Sequence, residues 1–118
     1  MKVHSSLAAS LALLAYLSGF AGTAAEPERV IRVAAKRFEF APATIELKVG
    51  EPVILELSTL DRKHGIKSHE LGIDAVIEPG KPTRVRLVPD KAGTFSFHCS
   101  VFCGKGHEDM TGAIVVTP

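Results

Sequence analysis

The run Cys99-Ser-Val-Phe-Cys103-Gly-Lys-Gly-His107-Glu-Asp-Met110 brings two thiols, an imidazole and a thioether into one short stretch near the C-terminus. Soft sulfur donors together with an imidazole select copper over magnesium, calcium or manganese. The chain has 2 cysteines, and both lie in this run. A copper centre is therefore the first expectation, and one-electron transfer the first activity. The Cys103-x3-His107-x2-Met110 loop offers one thiolate, one imidazole and one thioether. A mononuclear blue-copper site needs a second imidazole from elsewhere in the fold. His64 is the best candidate, because it follows Leu57-Ser-Thr-Leu-Asp-Arg-Lys and so sits just past a strand end, where it can converge with the C-terminal loop.

The cysteine pair has competing readings. In an oxidising compartment two cysteines ordinarily form a disulfide, but a disulfide explains neither His64, His107 nor Met110. A mononuclear blue-copper site would use His64, His107, one cysteine and Met110, and leave the other thiol without a role. His98 adjoins Cys99 but should face the other way, as a surface histidine. His69, in Lys67-Ser-His-Glu, reads as an exposed loop residue. Asp61, Glu108 and Asp109 read as solvated loop charges. Gly104 and Gly106 suit a tight loop, since glycine tolerates positive φ.

The elements that must position these donors are strands. Arg29–Phe40 opens with strand-like residues, Thr44–Val49 alternates strictly, and Gly50-Glu-Pro52 turns the chain into Val53–Thr59. Thr83–Val88 alternates with Arg84 and Arg86 outward; Pro89–Gly93 turns into Thr94–Cys99, and Gly112–Thr117 closes the chain. Period-two runs separated by turn signals predict an all-β sandwich or barrel. Alternation puts Phe95, Phe97 and Cys99 on one face and Ser96 and His98 on the other. The Cys99 thiol then points inward at the end of its strand, and the Cys103–Met110 loop must fold over it. Phe38, Phe40, Phe95, Phe97 and Phe102 are the expected core aromatics.

The N-terminus differs in composition. Lys2, the apolar stretch Leu7–Phe20 and the small residues Ala21-Gly-Thr-Ala-Ala25 follow the pattern of a secretory signal peptide. The apolar run falls short of the ~20 residues that span a bilayer. Residues 1–25 are therefore expected to be a cleaved leader, and residues 26–118 an exported, soluble, copper-binding domain. Without Lys2 the basic and acidic residues balance. There is no basic stripe, so nucleic acid is not expected as a partner.

Asp61-Arg-Lys-His64, Leu71-Gly-Ile73, Ile77-Glu-Pro-Gly80 through Ala92-Gly-Thr-Phe95, and the Cys-x3-Cys-x3-His-x2-Met loop together resemble the cupredoxin domain of cytochrome c oxidase subunit II. The resemblance runs over about residues 50–117. It implies a cupredoxin-like Greek-key β-sandwich of seven or eight strands. In that family, and in the C-terminal domain of nitrous oxide reductase, the pattern holds a dinuclear mixed-valence CuA centre. Carried over residue by residue, the resemblance implies that Cys99 and Cys103 bridge two coppers and that His64 and His107 each cap one. Met110 and the Val101 carbonyl would be weak ligands. The oxidase pattern usually has an acidic residue at Val101, whose side chain binds magnesium at the interface with the catalytic subunit. Valine cannot do so, and the chain has no Trp for electron entry. The expectation is a free-standing monomeric carrier in the periplasm, with a c-type cytochrome or a terminal reductase as redox partner and no substrate chemistry of its own. The competing class is a copper chaperone or store that uses the same ligands.

Overall fold

The computed structural model describes residues 2–3 and 28–118. Apart from Lys2 and Val3, the expected leader and its cleavage point lie outside the described residues. The regular structure in the rest is almost entirely strand: β1 Arg29–Lys36, β2 Glu39–Ala41, β3 Thr44–Lys48, β4 Val53–Thr59, β5 His64–Ser68, β6 Ile73–Ile77, β7 Thr83–Leu87, β8 Gly93–His98 and β9 Thr111–Thr117. One 3-10 turn, His107–Asp109, precedes β9.

The strands form two sheets. One is ordered β2-β1-β4-β7 and the other β3-β9-β8-β5-β6. Two pairings are parallel, β1 with β4 and β3 with β9. These link strands distant in sequence, as a sandwich with crossovers requires. Period-two burial follows from the sequence: β3 buries Ile45 and Leu47 and exposes Thr44, Glu46 and Lys48. β4 contributes Val53, Leu55 and Leu57, and β9 contributes Ile114 and Val116, to one core between the sheets. Each such side chain removed from water is worth about 1.5–3 kcal/mol.

The strand count exceeds the expected seven or eight for two reasons. The Arg29–Phe40 run breaks at a turn, and β2 folds back antiparallel on β1 with Lys36 opposite Glu39. β5 and β6 also form a hairpin that alternation does not announce. β5 is buried at four of its five positions, so it has no polar face to give period two. The core aromatics also need correction. Phe40, Phe95 and Phe97 are buried, but Phe38 is 38% exposed and Phe102 is 71% exposed. Both lie in connections rather than strands, where no second sheet covers them.

The arrangement sets up one end of the β3-β9-β8-β5-β6 sheet. β8 and β9 form a hairpin whose last pair is His98 with Thr111, and β5 lies on the other side of β8. The loop Cys99–Met110 and the first residue of β5, His64, therefore meet there.

Candidate metal centre

The β8–β9 loop is closed at its base by the Cys99 N–H, which donates to the Met110 carbonyl at 3.0 Å. Within it, the N–H groups of His107, Asp109 and Met110 donate to the carbonyls of Gly104, Gly106 and His107. This winding brings His107 and Met110 back over the cysteines. Phe38 braces the loop from below. A Cβ at Gly104 would stand 2.9 Å from the Phe38 ring, and one at Gly106 2.5 Å from it, so the ring approaches closely only because both are glycine. Gly104 also has φ +139, which L side chains rarely adopt.

All six residues singled out from the sequence converge. The Sγ atoms of Cys99 and Cys103 are 3.8 Å apart. His64 Nδ1 lies 3.8 Å from Cys99 Sγ, and His107 Nδ1 lies 3.6 Å from Cys103 Sγ. The Val101 carbonyl oxygen is 3.1 Å from Cys99 Sγ, and Met110 Sδ is 3.7 Å from Cys103 Sγ. The donor atoms of His64, Cys99 and Cys103 fall within 4.8 Å of one another. Both cysteines are free and buried. Their separation is well beyond the ~2.05 Å of a disulfide bond, yet one metal ion with bonds of ~2.3 Å to sulfur can reach both. His64, Cys99, Cys103 and Met110 are shut off from water, while His107 is partly buried. Two thiolates, two imidazoles, a thioether and a carbonyl form a soft, nitrogen- and sulfur-rich set that fits copper.

His98 and His69 are exposed and stay outside the cluster, as alternation implies for His98. Glu108 and Asp109 are exposed too. Asp61 is different. It is not a free loop charge: its Oδ1 accepts from His64 Nε2 at 2.7 Å and from the Arg62 N–H at 2.6 Å, and its Oδ2 accepts from the Arg37 N–H at 2.7 Å. Burial raises the carboxyl's pKa, but the hydrogen bonds from Arg37, His64 and Arg62 outweigh it and bring the value to about 2. The carboxylate thus holds the proton on His64 Nε2 and turns the Nδ1 lone pair toward the sulfurs. The sequence signal for this was available, an Asp three residues before the histidine, but it does not separate an orienting carboxylate from a solvated one.

Burial, then the nearby Cys99 thiol, pushes the Cys103 thiol up to about 11 from an ordinary 9.0. The linkage has a definite sign. In the metal-free protein the neutral thiol is favoured by the fold, so its contribution to stability is full below pH 9.0 and is lost as pH rises through about 11. Denaturant midpoints of the metal-free chain should therefore fall between those two pH values. The Cys103→Ala variant should show a shallower fall, and parallel curves would sink the assignment.

Comparison with known proteins fits this site. A family model described as Cupredoxin-like domain matches residues 7–116. The chain belongs to the cupredoxin family. Cytochrome c oxidase subunit 2 of Thermus thermophilus is 30% identical over 86 residues, which cover 73% of this chain and 64% of that protein. Nitrous-oxide reductase of Cupriavidus necator is 27% identical over 90 residues, 73% of this chain and 14% of the enzyme. The periplasmic domain of subunit II of cytochrome oxidase of Bradyrhizobium japonicum superposes with a TM-score of 0.70 at 18% identity, over 75% of this chain and 83% of that one. This cupredoxin is thus homologous to the soluble domains of oxidase subunit II, although it spans under two thirds of the Thermus subunit's length.

Proposed function

We propose that this cupredoxin is an exported one-electron carrier whose centre is a dinuclear copper site of the CuA type. The observation that carries the reading is the order of donors, His64 Nδ1, Cys99 Sγ, Cys103 Sγ and His107 Nδ1, each 3.6–3.8 Å from the next. Every thiol has a thiol neighbour and an imidazole of its own, which a one-metal site would not require. Cys99 and Cys103 would bridge, His64 and His107 would cap, and Met110 and the Val101 carbonyl would be weak ligands. Copper held there would supply a one-electron couple at a site with little net charge, since two thiolates offset most of the metal charge.

The chain's own part is to exclude water and fix the donors. His64, Cys99, Cys103 and Met110 do so from inside the fold, and the role proposed for the chain is electron transfer with no substrate chemistry of its own. His107 marks the open side. Its ring lies 5.5 Å from that of Phe102, an exposed residue. That side suits contact with a redox protein such as a c-type cytochrome or a terminal reductase. Among the described residues no helix is long and apolar enough to cross a membrane.

The test is metal analysis with electron paramagnetic resonance of the copper-loaded, oxidised protein. Two coppers per chain and hyperfine splitting shared equally between two copper nuclei are expected; splitting from one nucleus rejects the reading. Transfer of copper to an apo-acceptor with irreversible voltammetry would replace the carrier by a delivery protein. A further expectation concerns Asp61. Asp61→Asn weakens the acceptor for His64 Nε2, and copper affinity should fall about 10–100-fold in a competition titration. An unchanged affinity would show that the hydrogen bond does not orient His64.

A further inference from the structure

Arg37 sits on the turn between β1 and β2, remote in sequence from every donor. Its Nε–H donates to the Cys103 carbonyl at 3.2 Å, and its backbone N–H donates to Asp61 Oδ2 at 2.7 Å. Asp61 in turn holds His64 at 2.7 Å. A continuous strap, His64–Asp61–Arg37–Cys103, thus joins the β5 side of the centre to the β8–β9 loop from outside the donor cluster. It is made entirely of protein groups, so it is in place before any metal binds. The same turn carries Phe38, whose ring seats the loop at Gly104 and Gly106. The other exposed features do not converge in this way. Arg84 and Arg86 pair with Glu56 and Glu28 on the far sheet, and Lys36 pairs with Glu39.

We propose that Arg37 is a positioning residue for the metal centre: it pins the Cys103 peptide against the His64 side, and its guanidinium favours the reduced state. Its geometry acts on the loop, and its charge acts on the couple. Reduction adds one negative charge at the donor cluster, so a fixed positive charge beside Cys103 raises the reduction potential. The guanidinium reaches solvent and is partly screened, which limits the effect. The second half of the proposal rests on the copper reading above; the first half does not.

The experiment compares Arg37→Gln with Lys36→Gln, a neighbour that pairs with Glu39 and also lies within reach of the Asp61 charge, so its loss removes the same charge from that side without touching the loop. In the copper-free protein, alkylation of the buried Cys103 by iodoacetamide, followed by peptide mass mapping, should run about tenfold faster in Arg37→Gln and at the parent rate in Lys36→Gln. In the copper-loaded protein, voltammetry should show the reduction equilibrium of Arg37→Gln shifted about threefold toward the oxidised form, where tenfold corresponds to 59 mV for one electron. Lys36→Gln should stay near the parent. Parent-rate alkylation in Arg37→Gln, or equal acceleration in Lys36→Gln, overturns the strap. An unmoved or raised potential overturns the charge role. Failure to load two coppers in the parent protein would instead reject the copper reading and leave the alkylation result to decide the strap.

Discussion

If the centre is the proposed two-copper site, Cys99→Ser is expected to abolish its two-copper signature outright. Cys99 Sγ is the atom on which the cluster turns, 3.8 Å from both His64 Nδ1 and Cys103 Sγ and 3.1 Å from the Val101 carbonyl. A hydroxyl is a harder donor than a thiolate and stays protonated at neutral pH, so it cannot bridge soft metal ions. Removing an outer partner of a ligand costs about 10–100-fold in metal affinity. Removing a ligand proposed to bridge should cost more than about a hundredfold and leave at most one copper. Metal analysis and the hyperfine pattern read this directly, and a variant that keeps two equivalent coppers would rule out bridging by Cys99. The fold should survive. Serine at this position can donate to the Val101 carbonyl, so the penalty of a buried hydroxyl stays near the low end of about 1–3 kcal/mol. Met110→Leu is the contrasting case. It conserves volume in a fully buried position. On the proposed reading of Met110 as a weak ligand, it should retain the parent's copper content with a shifted potential.

Much of this site was legible in the sequence. The residue types of Cys99, Cys103, His107 and Met110 announce a soft metal, and alternation along β8 correctly turns Cys99 inward behind Phe95 and Phe97. His64 could be chosen because it follows a strand end, and it proves to be the first residue of the next strand, β5. What the sequence hid was of two kinds. β5 carries no alternation, because burial on both sides leaves no polar face to mark it. Arg37 and Phe38 carry no local signal either. Arg37 meets Cys103 across 66 residues, through a turn whose placement depends on β2 folding back on β1. Propensity and periodicity are short-range, and contacts of that separation are set by sheet order. The error over Phe38 and Phe102 has the same origin: an aromatic in a connection is not governed by the period of a strand.

Phe97→Ala should produce the largest loss of stability of any substitution considered, and it tests how far the centre depends on the sandwich beneath it. The Phe97 side chain is fully buried and meets Phe40 edge-on, with ring centroids 5.0 Å apart at 74°. Across the β8–β9 ladder its partner is Gly112, whose missing side chain leaves room for the ring. Truncation to alanine opens a cavity that rigid strands cannot collapse, at a cost of about 3–5 kcal/mol. Domains of this size are stable by only about 5–15 kcal/mol. The copper-free variant should accordingly melt about 12 °C or more below the parent. The cavity lies two residues along β8 from Cys99, on the same inward face, so the loop's anchor is loosened with the core. Copper that binds the folded chain should, at a hundredfold excess over Kd, return about 2.7 kcal/mol for each ion bound. Calorimetry with and without copper separates the two contributions. A wide gap between the copper-loaded and copper-free melts in Phe97→Ala would mean that the donors still assemble and that the loop carries its own order. A gap much smaller than that of the parent would mean that Cys99 reaches its partners only because Phe97 holds the end of β8 in place.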